Sequence, residues 1–246
     1  MKLLVAISQT PETTARIAFK DNNTAYDPTG VNFIMNPYDE WYALVRALEL
    51  KEEKSGSVTV IHVGPAANEV TIRKALAIGA DDAVRIDLDP KSADVVAHLI
   101  ADYAKDKSYD VIFCGKETID FNGSLVGSMI SGFLDLPFIS NASHLEYKGD
   151  HAVVTRDIEG GTEVIEVNGP FVLSAAKGLA EQRIPNMKGI MSAKTKPLQV
   201  IAPASVNALV DSVQFRTPAA KSAVHYVDPA NMDELVRLLH EEAKVI

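Results

Sequence analysis

Over its first 140 residues the chain alternates short continuous apolar runs with longer segments whose apolar residues recur at helical spacing, and few folds accommodate that alternation. The runs at 3–7, 58–63, 83–86 and 111–114 read as strands. Between them, Trp41, Leu44, Val45 and Leu48 form one helical face, residues 68–78 a second helix closed by Gly79, and Val95, Val96, Leu99, Ile100 and Tyr103 a third stripe. A further helix through Phe133 stops before Pro137. The pattern predicts an α/β fold: a mostly parallel, Rossmann-like sheet with helices on both faces. Right-handed crossovers give the first four strands the order 3-2-1-4, with the chain changing direction between the first and the fourth.

Local signals refine the outline. Asn36 and Pro37 read as the cap and first residue of the first long helix, Gly56 as its end, and the stretch between residues 8 and 35 as a long loop. After residue 140 the character changes. Segments at 142–147, 152–158 and 162–167, separated by Lys148-Gly149-Asp150 and Glu159-Gly160-Gly161, predict added β-hairpins, and 171–175 a buried strand. Residues 178–202 read as irregular, because Pro185, Gly189 and Pro197 prevent a long element. The expected division is a nucleotide-binding α/β domain over 1–202 and an extended C-terminal arm over 203–246. The arm ends in a helix capped by Asn231, with Met232, Leu235, Val236 and Leu239 on one face.

Composition narrows the function classes. A net charge of -9 with dispersed Lys and Arg argues against nucleic acid, whose phosphates need clustered cations. One cysteine, Cys114, permits no internal disulfide, and a start with five consecutive apolar residues is too short for a signal segment. No apolar run approaches membrane length. A cytoplasmic protein that is not integral to a membrane is expected, with small molecules and proteins as partners.

In open α/β sheets ligands bind outside the carboxyl ends of the strands, where the order reverses. Ala6 ends the first strand there and Gly115 the fourth, and the loop holding Asn36, Pro37, Tyr38 and Asp39 can converge on them. The stretch CGKETIDFNGSLVG, residues 114–127, is long and polar for a strand-to-helix turn. Gly115 and Gly123 read as turn residues; Lys116, Asn122 and Ser124 are candidates for holding an anion at the following helix N-terminus. The alternative is that Asn122 or Ser124 only caps that helix.

Other motifs are missing. Neither G-x-x-x-x-G-K-[ST] nor, after the first strand, G-x-G-x-x-G occurs, and no serine is flanked as G-x-S-x-G. His62-Val63-Gly64-Pro65 lacks the second histidine of an adenylyl-transfer H-x-G-H, and the six histidines show no metal-ligand spacing. Cys114 reads as a small core residue.

Several stretches taken together, NPYDEWYALVRALELKE, TIRKALAIGADDAVRI, CGKETIDFNGSLVGSMISGFLDLP, TRDIEGGTEVIEV and AEQRIPNMKGIMSAKTKPL, resemble the β subunits of electron transfer flavoproteins, collinearly to about Val200. The resemblance implies an adenine nucleotide α-hydrolase-like fold and a heterodimer. The α subunit holds most of an FAD and the C-terminal arm wraps it, while this subunit's crevice holds a structural AMP. Carried over by position, AMP contacts fall at Ala6, Asn36, Pro37, Tyr38, Asp39 and Val63. They continue through the loop Gly115, Lys116, Glu117, Thr118, Ile119, Asp120, Phe121, Asn122, Gly123, Ser124, Leu125 and Val126. Residues 181–191 match the recognition loop for partner dehydrogenases, with Met187 at the anchoring position and Ile184, Pro185 and Ile190 around it.

The resemblance further implies an electron carrier without substrate chemistry of its own. It takes electrons from acyl-CoA and related dehydrogenases and passes them through FAD toward a membrane quinone oxidoreductase. Two departures stand out. Where AMP-binding members commonly have Asn-Gln-Thr, this chain has Ser124-Leu125-Val126; Val126 is also what bifurcating members, with a second FAD, tend to show. GFLDLP and RIPNMKGIM instead resemble the simple group. The rival readings are a bifurcating homologue and a stand-alone ATP-binding stress-type protein.

Overall fold

A computed structural model describes residues 1–221 and 223–246. In chain order it contains β1 (Lys2–Ala6), β2 (Gln9–Pro11), β3 (Phe19–Lys20), β4 (Ala25–Tyr26), β5 (Phe33–Met35), α1 (Asp39–Lys54), β6 (Ser57–Val63), α2 (Glu69–Ile78), β7 (Asp82–Ile86) and α3 (Ala93–Ala104). There follow β8 (Val111–Gly115), α4 (Val126–Leu134), β9 (Phe138–Lys148), β10 (His151–Ile158), β11 (Gly161–Asn168), β12 (Phe171–Ala175), α5 (Met187–Ala193), β13 (Leu198–Ile201) and α6 (Met232–Arg237).

The main sheet has nine strands in the order β11-β10-β9-β12-β8-β1-β6-β7-β13. Its centre, β8-β1-β6-β7, is the expected 3-2-1-4 arrangement, parallel throughout. Successive side chains of a strand point to opposite faces, and here each face has its own core. Leu3 and Val5 pack with Leu44, Leu48, Ile72 and Leu76 of α1 and α2. Leu4 and Ala6 pack with Val95, Leu99, Ile100 and Ile130 of α3 and α4. Burying one such Leu or Ile side chain contributes about 1.5–3 kcal/mol, so strands apolar on both sides commit the sheet to two helical layers. β12 still pairs with β9 in parallel; beyond β9 the sheet turns antiparallel, β10 pairing with both β9 and β11. These are the added hairpins.

Some local expectations are corrected. α1 starts at Asp39 with Tyr38 before it, so Asn36 is not its cap, and Ser55 rather than Gly56 follows its last residue. The stretch after β1 is not a plain loop: β2 pairs with β5 and β3 with β4. Residues 178–202 contain α5 and β13, the latter extending the sheet alongside β7.

The chain divides into two units, Met1–Phe215 and Arg216–Ile246. In the first, residues beyond β13 are fastened to the core. Val206 packs against the α3 side, the Leu209 N–H donates to Asp94 Oδ2 at 2.7 Å, and Phe215 stacks on Phe19 with ring centroids 5.2 Å apart. In the second, Asn231 Oδ1 accepts the Glu234 N–H at 3.3 Å and caps α6. Met232 and Val236 of that helix are exposed. No helix among the described residues is long and apolar enough to cross a membrane.

Candidate functional site

β1 and β8 are adjacent parallel strands, so their carboxyl ends open side by side where the chain reverses direction. Ala6 ends β1, Gly115 ends β8, and Val63 ends the neighbouring β6; Ala6 and Val63 are buried. The loop before α1 joins them through specific bonds. Buried Asn36 donates from Nδ2 to the Glu117 carbonyl at 2.8 Å, and its Oδ1 accepts the Tyr38 N–H at 3.3 Å. Asp39 Oδ2 accepts the Glu117 N–H at 3.0 Å. Asn36 thus fastens two loops together instead of capping a helix.

Gly115 is required for a different reason from the one its sequence context suggests. A Cβ there would lie 2.8 Å from Glu40 Cγ and 3.3 Å from the Glu40 nitrogen, so the absent side chain lets α1 approach the end of β8. The left-handed backbone of this loop falls on Asn122 (φ 47°) and Ser124 (φ 51°), not on Gly123. Left-handed serine is uncommon, and such residues concentrate at ligand-binding loops.

The loop uses part of its polarity internally. Lys116 Nζ lies 3.3 Å from Glu117 Oε1, the Lys116 N–H donates to the Ala175 carbonyl, and the Asn122 N–H donates to the Thr118 carbonyl. Residues 120–125, among them Asp120, Phe121 and Leu125, are exposed, whereas Thr118 and Ile119 are half-buried. α4 begins at Val126, and no side chain of Leu125, the residue before it, caps its first turn. Helix-start N–H groups have no intrahelical partner, so this turn offers donors to an anion.

Sequence reasoning missed Glu40. It is buried, and Oε2 accepts the Ser8 N–H at 2.6 Å. Burial pushes its carboxyl up to about 8. A signal existed: Glu40 precedes Ala43, Leu44 and Ala47 by three, four and seven residues and so lies on the buried stripe of α1. His62 is a satisfied core histidine. Nδ1 bonds the Ile7 carbonyl and Nε2 meets Asn68 Nδ2, each at 2.9 Å, and burial lowers its pKa. Desolvation raises the Cys114 thiol to about 12, which makes it a poor nucleophile.

The second expected site is built in the opposite way. Residues 181–197 are pinned to α1 and α2 by polar groups. Gln182 Nε2 donates to the Pro37 carbonyl, Trp41 Nε1 to the Arg183 carbonyl at 3.2 Å, and Arg183 pairs with both oxygens of Glu52. Arg73 donates to the Ala193 and Lys196 carbonyls, and Lys196 Nζ to those of Leu76 and Ala80. Asn186 caps α5 by accepting the Gly189 N–H at 2.8 Å. On this scaffold Ile184 (83% exposed), Met187 (73%), Ile190 and Met191 face solvent, with Pro185 half-buried among them.

Residues 24–206 match the model of the electron transfer flavoprotein domain. The chain is 35% identical over 260 aligned residues to the electron transfer flavoprotein subunit beta of Bacillus subtilis, covering all of both chains. It is 36% identical to that of Syntrophomonas wolfei, covering 91% of this chain and 88% of the relative. It is 32% identical to the human subunit beta, covering 100% and 99%. Matched end to end by bacterial and human relatives, this chain belongs to the family of electron transfer flavoprotein β subunits.

Proposed function

We propose that the chain is one half of a heterodimeric electron carrier of the simple, non-bifurcating kind, and has no substrate chemistry of its own. The observation that carries this reading is the end-to-end match to β subunits, joined to a crevice built where a parallel sheet reverses. FAD, held mainly by the α subunit, supplies the redox chemistry. This chain supplies a docking surface, a nucleotide-stabilised core and a recognition segment for acyl-CoA and related dehydrogenases, from which electrons continue toward a quinone oxidoreductase in the membrane. We assign residues 1–202 to nucleotide binding and 203–246 to the arm that docks on the α subunit.

A structural AMP fits the crevice on two counts: the uncapped first turn of α4 offers donors for one phosphate, and the left-handed Asn122 and Ser124 bend the loop. Ala6, Asn36, Pro37, Tyr38, Asp39, Val63 and residues 115–126 would line it. Ile184, Pro185, Met187 and Ile190 would meet the dehydrogenase. A thioether adapts to varied apolar pockets, which suits a carrier serving several donors.

The test is to purify the complex from its host, denature it and count the released nucleotides by chromatography. One FAD and one AMP per heterodimer is the expected result. Two FAD, the outcome that Val126 would favour, would move the chain to the bifurcating kind, and ATP without flavin or a larger partner would overturn the reading.

A further inference from the structure

Glu40 stands in the first turn of α1 with 5% of its surface exposed. Buried carboxylates ordinarily have a cationic partner. Among the described residues no Lys or Arg is paired with it; Ser8, just beyond β1, faces it, its N–H donating to Oε2 and its hydroxyl also acting on the carboxyl. The other groups facing it are Asp39 on its own helix, Asp120 on the loop after β8 and the Cys114 thiol on β8. Its methylene stem fills the space that a side chain at Gly115 would take, with Cγ 2.8 Å from that Cβ position. The neighbouring Asp39 holds the Glu117 N–H. The three segments that frame the crevice, the ends of β1 and β8 and the start of α1, therefore meet on this one side chain.

We propose that Glu40 is a positioning residue for the nucleotide phosphate, holding those three segments at one spacing while it keeps its proton and loosening the nucleotide when it loses it. The inference rests on the AMP reading above. A phosphate monoester loses its second proton near pH 6, so its charge is nearly constant between pH 7 and 9 and a change in affinity over that window comes from the protein. Burial places the Glu40 titration inside the window, at about 8, whereas Cys114 titrates well above it. A bound phosphate dianion favours the protonated carboxyl, and by reciprocity loss of the proton weakens the nucleotide. If the nucleotide makes that proton tenfold harder to remove, affinity falls about fivefold from pH 7 to pH 9.

The test uses the intact complex, stripped of nucleotide, with AMP as the probe and its dissociation constant measured at pH 7 and 9. Wild type is expected to weaken about fivefold, and Glu40→Gln, which leaves Asp39 and Asp120 in place, less than twofold. Equal slopes in the two proteins, or a wild-type change under twofold, would overturn the proposal while leaving the AMP site standing. AMP binding at neither pH would overturn both. Should the variant fail to fold, wild type labelled with carbon-13 in its glutamate carboxyls decides by NMR. A carboxyl titrating near pH 8, and higher with AMP, supports the role; no such resonance rejects it.

Discussion

The crevice at the ends of β1 and β8 and the segment at 181–197 divide polar and apolar groups in opposite ways. In the crevice, side chains such as Asn36, Asp39 and Glu40 bond backbone of their own chain and leave backbone donors at α4 for a ligand. In the segment, the polar groups of Gln182, Arg183, Asn186 and Lys196 are consumed in anchoring, and apolar heads are left in water. A small anion is held by many weak donors at fixed positions. A protein partner is caught by a few apolar side chains on a base that does not yield.

The widest separation of the two regions is expected from pH. Glu40 titrates near 4.5 when unfolded and at about 8 when folded, so the stability linked to its proton is full below 4.5 and lost as pH rises toward 8. Glu40→Gln should therefore gain on wild type between pH 5 and 9, by on the order of 2–4 kcal/mol in denaturant unfolding. A constant difference across that range would show that the carboxyl is not desolvated as the fold implies.

Next comes Gly115→Val, whose side chain meets backbone and stem of Glu40; a cost of about 1–3 kcal/mol and loss of AMP are expected. Retention of both would mean that α1 is free to retreat. Asn186→Ala removes the α5 cap at about 1 kcal/mol, expected as faster amide exchange at residues 187–190 with no change at 115–126. Spread of that effect into the crevice would join what the comparison separates. Smallest in stability is Met187→Ala, within about 0.5 kcal/mol of wild type and with unchanged AMP content. Its effect belongs to kinetics: slower reduction by an acyl-CoA dehydrogenase is expected, and rates unchanged from wild type with every partner dehydrogenase would remove the recognition role.

Legibility in the sequence followed the size of the local signal. The central strand order could be read because runs such as Leu3 to Ile7 are apolar on both faces and the intervening helices are long. β13 could not, because its four residues are half-buried or exposed and their pairing with β7 joins residues more than 100 positions apart. The hairpin of β3 and β4 has two residues per strand, too few for alternation to register. At the site, the segments that converge were readable from topology, whereas the roles of Asn36 and Gly115 were not. Asn36 looks like a cap until Glu117 is known to lie beside it, and Gly115 looks like a turn until α1 is known to press on it.

Trp41 is the only tryptophan in the chain. It follows Glu40 directly, bonds the Arg183 carbonyl through its indole and has Lys74 Nζ 4.9 Å from its ring centroid. A single indole therefore stands at the joint between the two regions, with an ammonium over its face and a carbonyl at its edge. The chain carries its own optical gauge: excited beyond the tyrosine band, the one indole touches both α1 and the 181–197 segment, and unlabelled protein can be followed by the colour and lifetime of that indole's emission.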